Sequence, residues 1–105
     1  RLIGLPPFAH LALLRAESVD VAAPLRFLRA ARTLFAQDAG SVQLSDPIPA
    51  TMERRAGHTR AQLLLQCASR ATLQKKLATW MPQLDTLPEI RRTRWSIDVE
   101  PYDLF

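Results

Sequence analysis

The chain has little of the chemistry from which small active sites are built. One cysteine, Cys67, in 105 residues excludes an intrachain disulfide and any Cys-x-x-Cys metal or redox pair. A lone thiol fits a reducing cytoplasm. The two histidines, His10 and His58, form no His-Glu-x-x-His pattern, so no metal site is expected. Three glycines, Gly4, Gly40 and Gly57, are too scattered to make a phosphate-cradling loop, and no Gly-x-x-x-x-Gly-Lys run exists. Ser69 has no base beside it in sequence, and a helix cap explains it. No apolar run approaches the roughly 18 residues of a membrane span. There is no signal-peptide pattern, and a chain that starts at Arg1 reads as an excised or processed fragment. The chain by itself is therefore expected not to be an enzyme.

What is present suits one compact domain. Hydrophobic residues make up 48% and charged residues 23%, enough for a single core and too balanced for a disordered tail. The net charge of +4 is unevenly spread. Residues 1–52 carry +1, residues 53–94 carry nine cations against three acids, and residues 95–105 carry −3. A basic centre attracts phosphates or acidic peptides; the plain alternative is a solvated arginine surface that keeps the chain soluble.

Residues 1–8, with Gly4, Pro6 and Pro7, read as an irregular leading segment arriving from a preceding domain, and 9–105 as the domain itself. From Ala9 to Glu17 apolar residues alternate as in a strand, with Leu11 and Leu13 on one face and His10, Ala12, Leu14 and Ala16 on the other. Asp20 is a candidate cap for a helix running to about Asp38, with Pro24 in its first turn. Its stripe reads Val21, Leu25, Leu28, Ala31, Leu34 and Phe35, and Gly40 provides a left-handed stop. Val42 and Leu44 start a second strand that Pro47 and Pro49 end or push to an edge. Met52–His58 reads as a basic loop turning at Gly57.

Arg60–Cys67 alternates most cleanly, with Ala61, Leu63, Leu65 and Cys67 opposite Arg60, Gln62, Leu64 and Gln66. Ser69 caps a second helix whose Leu73, Leu77, Trp80 and Leu84 share a face, and Pro82 is expected to kink or shorten it. Arg91–Val99 is the last strand, with Thr93, Trp95, Ile97 and Val99 inward and Arg92, Arg94, Ser96 and Asp98 outward; Pro101 ends it. The order strand, helix, strand, strand, helix, strand predicts an α+β split βαβ domain. Four strands form one mostly antiparallel sheet with both helices on one face, and the first and last strands are neighbours.

Two groups of residues suggest binding. Arg54, Arg55 and Arg60 flank a hairpin-like turn and can converge on a phosphate backbone, with Arg92 and Arg94 extending the patch. Nothing there is suited to reading base edges, so any binding to a nucleic acid would follow structure rather than sequence. Arg70 and Gln74 stand four apart on the second helix, beside its apolar stripe. A guanidinium there suits an acidic peptide that ends in a hydrophobic residue and a free carboxylate. Lys75 and Lys76 would add only diffuse attraction. The acidic stretch Asp98–Phe105 has that same tail-like chemistry and could fill a basic pocket on a neighbouring molecule or compete with a nucleic acid for the basic patch, a frayed solvated terminus being the default.

Four motifs carry a family resemblance: Gly4-Leu5-Pro6-Pro7-Phe8 leading into Leu11–Glu17; Pro47-Ile48-Pro49-Ala50 with Glu53–Gly57 and Arg60–Gln66; Ser69-Arg70 with Leu73-Gln74; and Arg94-Trp95-Ser96-Ile97-Asp98-Val99-Glu100-Pro101. In this order and spacing the chain resembles the C-terminal domain of the PriA-type bacterial replication-restart helicases (primosomal protein N-prime). Two positions depart from the family pattern: His58-Thr59 stands where a basic–aromatic pair is usual, and Glu100 replaces an aspartate. The resemblance implies a cytoplasmic 3′ to 5′ DNA helicase that uses ATP at stalled forks and helps reload the replicative helicase. Its motor and zinc-binding regions lie outside this fragment, which itself needs no cofactor. It implies partners in single-stranded and forked DNA, primosome proteins and single-stranded DNA-binding protein, with Arg70 holding the terminal carboxylate of that protein's acidic tail and Gln74 lining the pocket. An RNA- or ribosome-associated module and a purely structural domain of a larger enzyme are the alternatives.

Overall fold

The computed structural model describes residues 10–55 and 57–100, without the side chains of 51–55. The leading segment 1–8, Pro101 and the end of the acidic stretch at Tyr102–Phe105 lie outside the described residues. The elements are β1 (His10–Ser18), α1 (Ala23–Ala36), β2 (Gln43–Leu44), β3 (Ile48–Arg55), β4 (His58–Cys67), α2 (Arg70–Leu84), a 3-10 turn (Pro88–Ile90) and β5 (Arg94–Val99).

β1 lies at the centre of the sheet, antiparallel to β4 on one side and to β5 on the other. Both β2 and β3 pair with the far side of β4. Ala12, Leu14 and Ala16 of β1 and Ala61, Leu63, Leu65 and Cys67 of β4 face the helices and pack with Phe27, Leu28, Ala31 and Phe35 of α1 and Leu73, Leu77, Trp80 and Leu84 of α2. Small residues on the strands leave room for aromatic residues on the helices. Both helices thus cover one face of the sheet, as the element order predicts. Leu13 is buried too, on the opposite face, so β1 carries an unbroken run of buried Ala12, Leu13 and Leu14.

The expected second strand is two. Pro47 and Pro49 offer no backbone N–H to β4, so pairing breaks between β2 and β3. Ser45 bridges the gap: its backbone N–H donates to the Leu64 carbonyl, and its Oγ accepts from the Leu64 N–H, each at 2.9 Å. Pairing resumes at Ile48 opposite Gln62 and shifts register between Pro49 and Arg54. The expected loop at Met52–His58 is corrected accordingly: residues up to Arg55 continue β3, and the turn is tight, with Arg55 opposite His58 and Gly57 at φ +81°. That backbone conformation suits glycine.

α1 starts later than an Asp20 cap implies. Its N-cap is Ala22, and Asp20 instead organises the preceding turn by accepting from the Ala22 N–H at 3.0 Å. Val21 therefore sits before the helix and is 66% exposed, while Phe27, absent from the expected stripe, is fully buried. Gly40 has the expected left-handed φ but lies beyond a helix that stops at Ala36. α2 follows its sequence closely. Ser69 Oγ accepts from the Thr72 N–H at 3.1 Å, and the four predicted stripe residues are the buried ones. Pro82 does not shorten it; the helix continues to Leu84, whose side chain is buried.

The two helices are joined through Asp38. Its carboxylate accepts the Trp80 indole N–H at 2.9 Å and lies 3.7 Å from Lys76 Nζ, which also donates to the Asp38 carbonyl. Trp80 stacks on Phe35 at a centroid distance of 4.6 Å, and Lys76 lies over its ring. Lys76 is therefore a structural residue rather than a source of diffuse attraction. Replacing Asp38 with Ala leaves the buried indole N–H without its partner and is expected to cost about 1–2 kcal/mol. Asp46→Ala, at an exposed carboxylate 3.9 Å from Arg32, is expected to cost less than about 0.5 kcal/mol. Urea unfolding of the two variants checks the contrast.

Candidate functional site

The face of the sheet turned away from the helices takes the outward residues of each strand. These are Leu11, Leu13, Arg15 and Glu17 of β1, Arg60, Gln62, Leu64 and Gln66 of β4, and Arg94, Ser96 and Asp98 of β5. Strand register arranges them in rows. Glu17 stands directly opposite Arg60 on one side and Arg94 on the other. Arg15 stands opposite Gln62 and Ser96, and its guanidinium reaches Asp98 at 3.0 Å. Directly opposed side chains have Cβ atoms about 5 Å apart, so Arg60, Glu17 and Arg94 form one transverse line.

That line borders a groove of about 490 Å³, walled by Glu17, Val19, His58, Arg92 and Arg94 among others, and a smaller hollow of about 140 Å³ that reaches Arg15 and Arg60. Arg92 is not a strand residue as expected. It lies in the turn before β5 at φ +63°, a conformation uncommon for a side-chain-bearing residue, and reaches the groove from that turn. The backbone of Arg54 and Arg55 pairs with Thr59 and His58, at this same end of β4, while their side chains lie outside the described residues. Farther along the open face, Leu13, Ile48, Gln62 and Leu64 line an apolar hollow of about 220 Å³.

The opposite end of the sheet holds a different group. β4 ends at Cys67, opposite His10, and α2 begins three residues later. Arg70 and Gln74 are both exposed, one turn apart on α2. The ordinary helix dipole disfavours a cation in a first turn, so the helix gives no local reason for an arginine at this position. Among the described residues Arg70 makes no ion pair within 4 Å. Next to it, Glu100 follows β5 at φ +57°, donates its backbone N–H to the Leu11 carbonyl at 2.7 Å and meets His10 Nδ1 through its carboxylate at 2.8 Å. The His10 hydrogen bond holds the Glu100 carboxyl below its ordinary range; slight desolvation opposes this, and the charges of His10 and Arg70 add to it. Asp98 and Glu100, the two acids at the end of the last strand, thus each have a basic partner.

Arg60 and Cys67, seven residues apart on β4, are separated by roughly 23 Å along the strand, and Arg70 lies just beyond Cys67. The candidate residues fall into two groups that do not touch. Sequence reasoning missed Glu17 and His58 as lining residues, since only strand register reveals that Glu17 lies between two arginines. Among the described residues no group of three or more His, Cys, Asp or Glu side chains is arranged to hold a metal ion.

Known proteins match this chain at two levels. By structure, it superposes on a de novo designed protein, Foldit4, with a TM-score of 0.64 over 90% of this chain and 99% of the other at 7% identity. It superposes on a dimeric ferredoxin-like protein from an uncultured marine organism with a TM-score of 0.60 over 87% and 92% at 10% identity. At such low identity these likenesses establish the fold alone. By sequence, it is 36% identical over 103 residues to the Replication restart protein PriA of Haemophilus influenzae, covering 97% of this chain and 14% of the relative's length. The family profile described as the primosomal protein N C-terminal domain matches residues 1–102. The profile and the relative each span almost the whole chain, which belongs to the primosomal protein N C-terminal domain family.

Proposed function

We propose that this domain is a double adaptor at the C-terminal end of a 3′ to 5′ replication-restart DNA helicase. One end of its sheet holds the DNA backbone, and the N-terminal turn of α2 holds the acidic tail of single-stranded DNA-binding protein. Catalysis, ATP and zinc belong to the rest of such a protein, and this module contributes none of them. The observation that carries the reading is the separation of the two groups. Arg60, Arg92 and Arg94, with Arg54 and Arg55 on the neighbouring backbone, serve a polyanion; Arg70 and Gln74 serve a single carboxylate. Membership of a family whose relative is named for replication restart supports DNA as the polyanion over RNA. The protein would work in the cytoplasm beside forked DNA and primosome proteins. Among the described residues no helix is long and apolar enough to cross a membrane.

At the basic end, arginines bind phosphates, and each arginine–phosphate pair releases counterions from the strand. Removing one such arginine is expected to lower the slope of log affinity against log salt by roughly 0.7 on single strands. Arg60→Ala, Arg94→Ala and the double variant Arg54→Ala/Arg55→Ala should each weaken binding and flatten that slope, with no dependence on base sequence. Titration with single-stranded DNA, forked DNA and RNA of equal length checks this. An RNA preference favours the ribosome-associated alternative, and no binding at low salt favours a purely structural domain.

At the other end, a guanidinium grips a carboxylate through two parallel hydrogen bonds that lysine does not reproduce. A charge-assisted hydrogen bond contributes about 1.5–3 kcal/mol, so Arg70→Ala is expected to weaken tail binding roughly tenfold to a hundredfold. DNA affinity and its salt slope should stay unchanged. Calorimetry with the tail peptide on the full-length protein measures the first effect; equal affinity for wild type and Arg70→Ala rejects the assignment.

A further inference from the structure

Arg70 has no ion-pair partner within 4 Å among the described residues, yet it is not isolated. The pairings of β1 with β4 and with β5 bring three chain segments to one corner: His10 at the start of β1, Glu100 just past β5, and the first turn of α2 after Cys67. Glu100 is fixed there by two bonds from different groups. Its backbone N–H reaches Leu11, and its carboxylate meets the His10 ring. Its left-handed backbone turns the chain at this point. The carboxylate is ionised at neutral pH and lies within the electrostatic reach of the Arg70 guanidinium.

We propose that Glu100 is a built-in carboxylate competitor for Arg70, setting how strongly an incoming peptide carboxylate is held. The inference rests on the reading of Arg70 as a carboxylate-binding residue. In the free protein the Glu100 charge acts on the guanidinium across a gap too long for a direct ion pair. A ligand whose chain ends in a carboxylate must approach Arg70 against the repulsion of this fixed negative charge, so binding stays weaker than the arginine alone would permit. The hydrogen bond to His10 keeps the Glu100 carboxylate in the corner instead of letting it swing away. A solvent-exposed charge pair of this kind is weak, an effect of about 1.4- to fivefold on affinity.

The test uses the full-length protein and a synthetic acidic peptide ending in Phe with a free α-carboxylate, alongside the same peptide amidated at its end. Glu100→Gln keeps the size of the side chain and removes its charge; it is expected to tighten the free-carboxylate peptide by about 1.4- to fivefold and to change the amidated one less. Glu89→Gln removes the same charge beyond the far end of α2, roughly 22 Å along the helix from Arg70, and should change neither. Thermal unfolding of each variant confirms that the fold is intact. Unchanged or weaker binding by Glu100→Gln, or an equal gain from Glu89→Gln, overturns the proposal. If Arg70→Ala also leaves the free-carboxylate affinity unaltered, the carboxylate-binding reading of Arg70 fails, and the competitor role falls with it. If Arg70→Ala weakens binding while Glu100→Gln has no effect, the competitor role alone is overturned.

Discussion

The constraint on which the structure depends is the placement of β1 between two antiparallel partners. A strand with neighbours on both sides and buried side chains on both faces has no freedom to slip. Moving it by one residue would turn Ala12, Leu14 and Ala16 out of the helix-facing core and put Arg15 and Glu17 in their place. The register that this burial enforces also decides the surface. It puts Glu17 level with Arg60 and Arg94 at one end, and His10 level with Cys67 at the other. The polar arrangement on the outside is thus a consequence of apolar packing on the inside.

Much of this is readable in the sequence wherever the information is local. The cap at Ser69 and the stripe Leu73, Leu77, Trp80 and Leu84 need only residues within a few turns of one another, and α2 forms as its sequence predicts. The alternation in Arg60–Cys67 is strong enough to define β4 without its partners. Reading fails where a second strand or helix decides. Pro47 and Pro49 look like a stop, but an edge position on β4 tolerates them and a serine side chain spans the break. Val21 fits a helical stripe numerically, yet Asp20 uses its side chain to shape a turn, which displaces the helix start by two residues. Arg92 alternates correctly with Arg94 and still lies outside the strand, because the 3-10 turn at Pro88–Ile90 feeds directly into a left-handed bend.

The same distinction separates the parts of the candidate site. Arg70 and Gln74 are neighbours by helical spacing and need no tertiary knowledge. The involvement of Glu100 and His10 does, since ninety positions of sequence lie between them. Family membership gives the module a context, and register together with chain order places the two charged groups at opposite ends of the sheet, on separate surfaces.

The lone cysteine has a use of its own. Cys67 closes β4 against His10, is 3% exposed, and has its sulfur 3.5 Å from the Ser41 hydroxyl. A thiol reagent can attack it only after the end of β4 separates from its surroundings. Since no other thiol exists in the sequence, the labelling rate is a clock for that opening. It reads every opening that frees the end of β4, whether confined to the corner where β1, β4 and α2 meet or shared by the whole sheet.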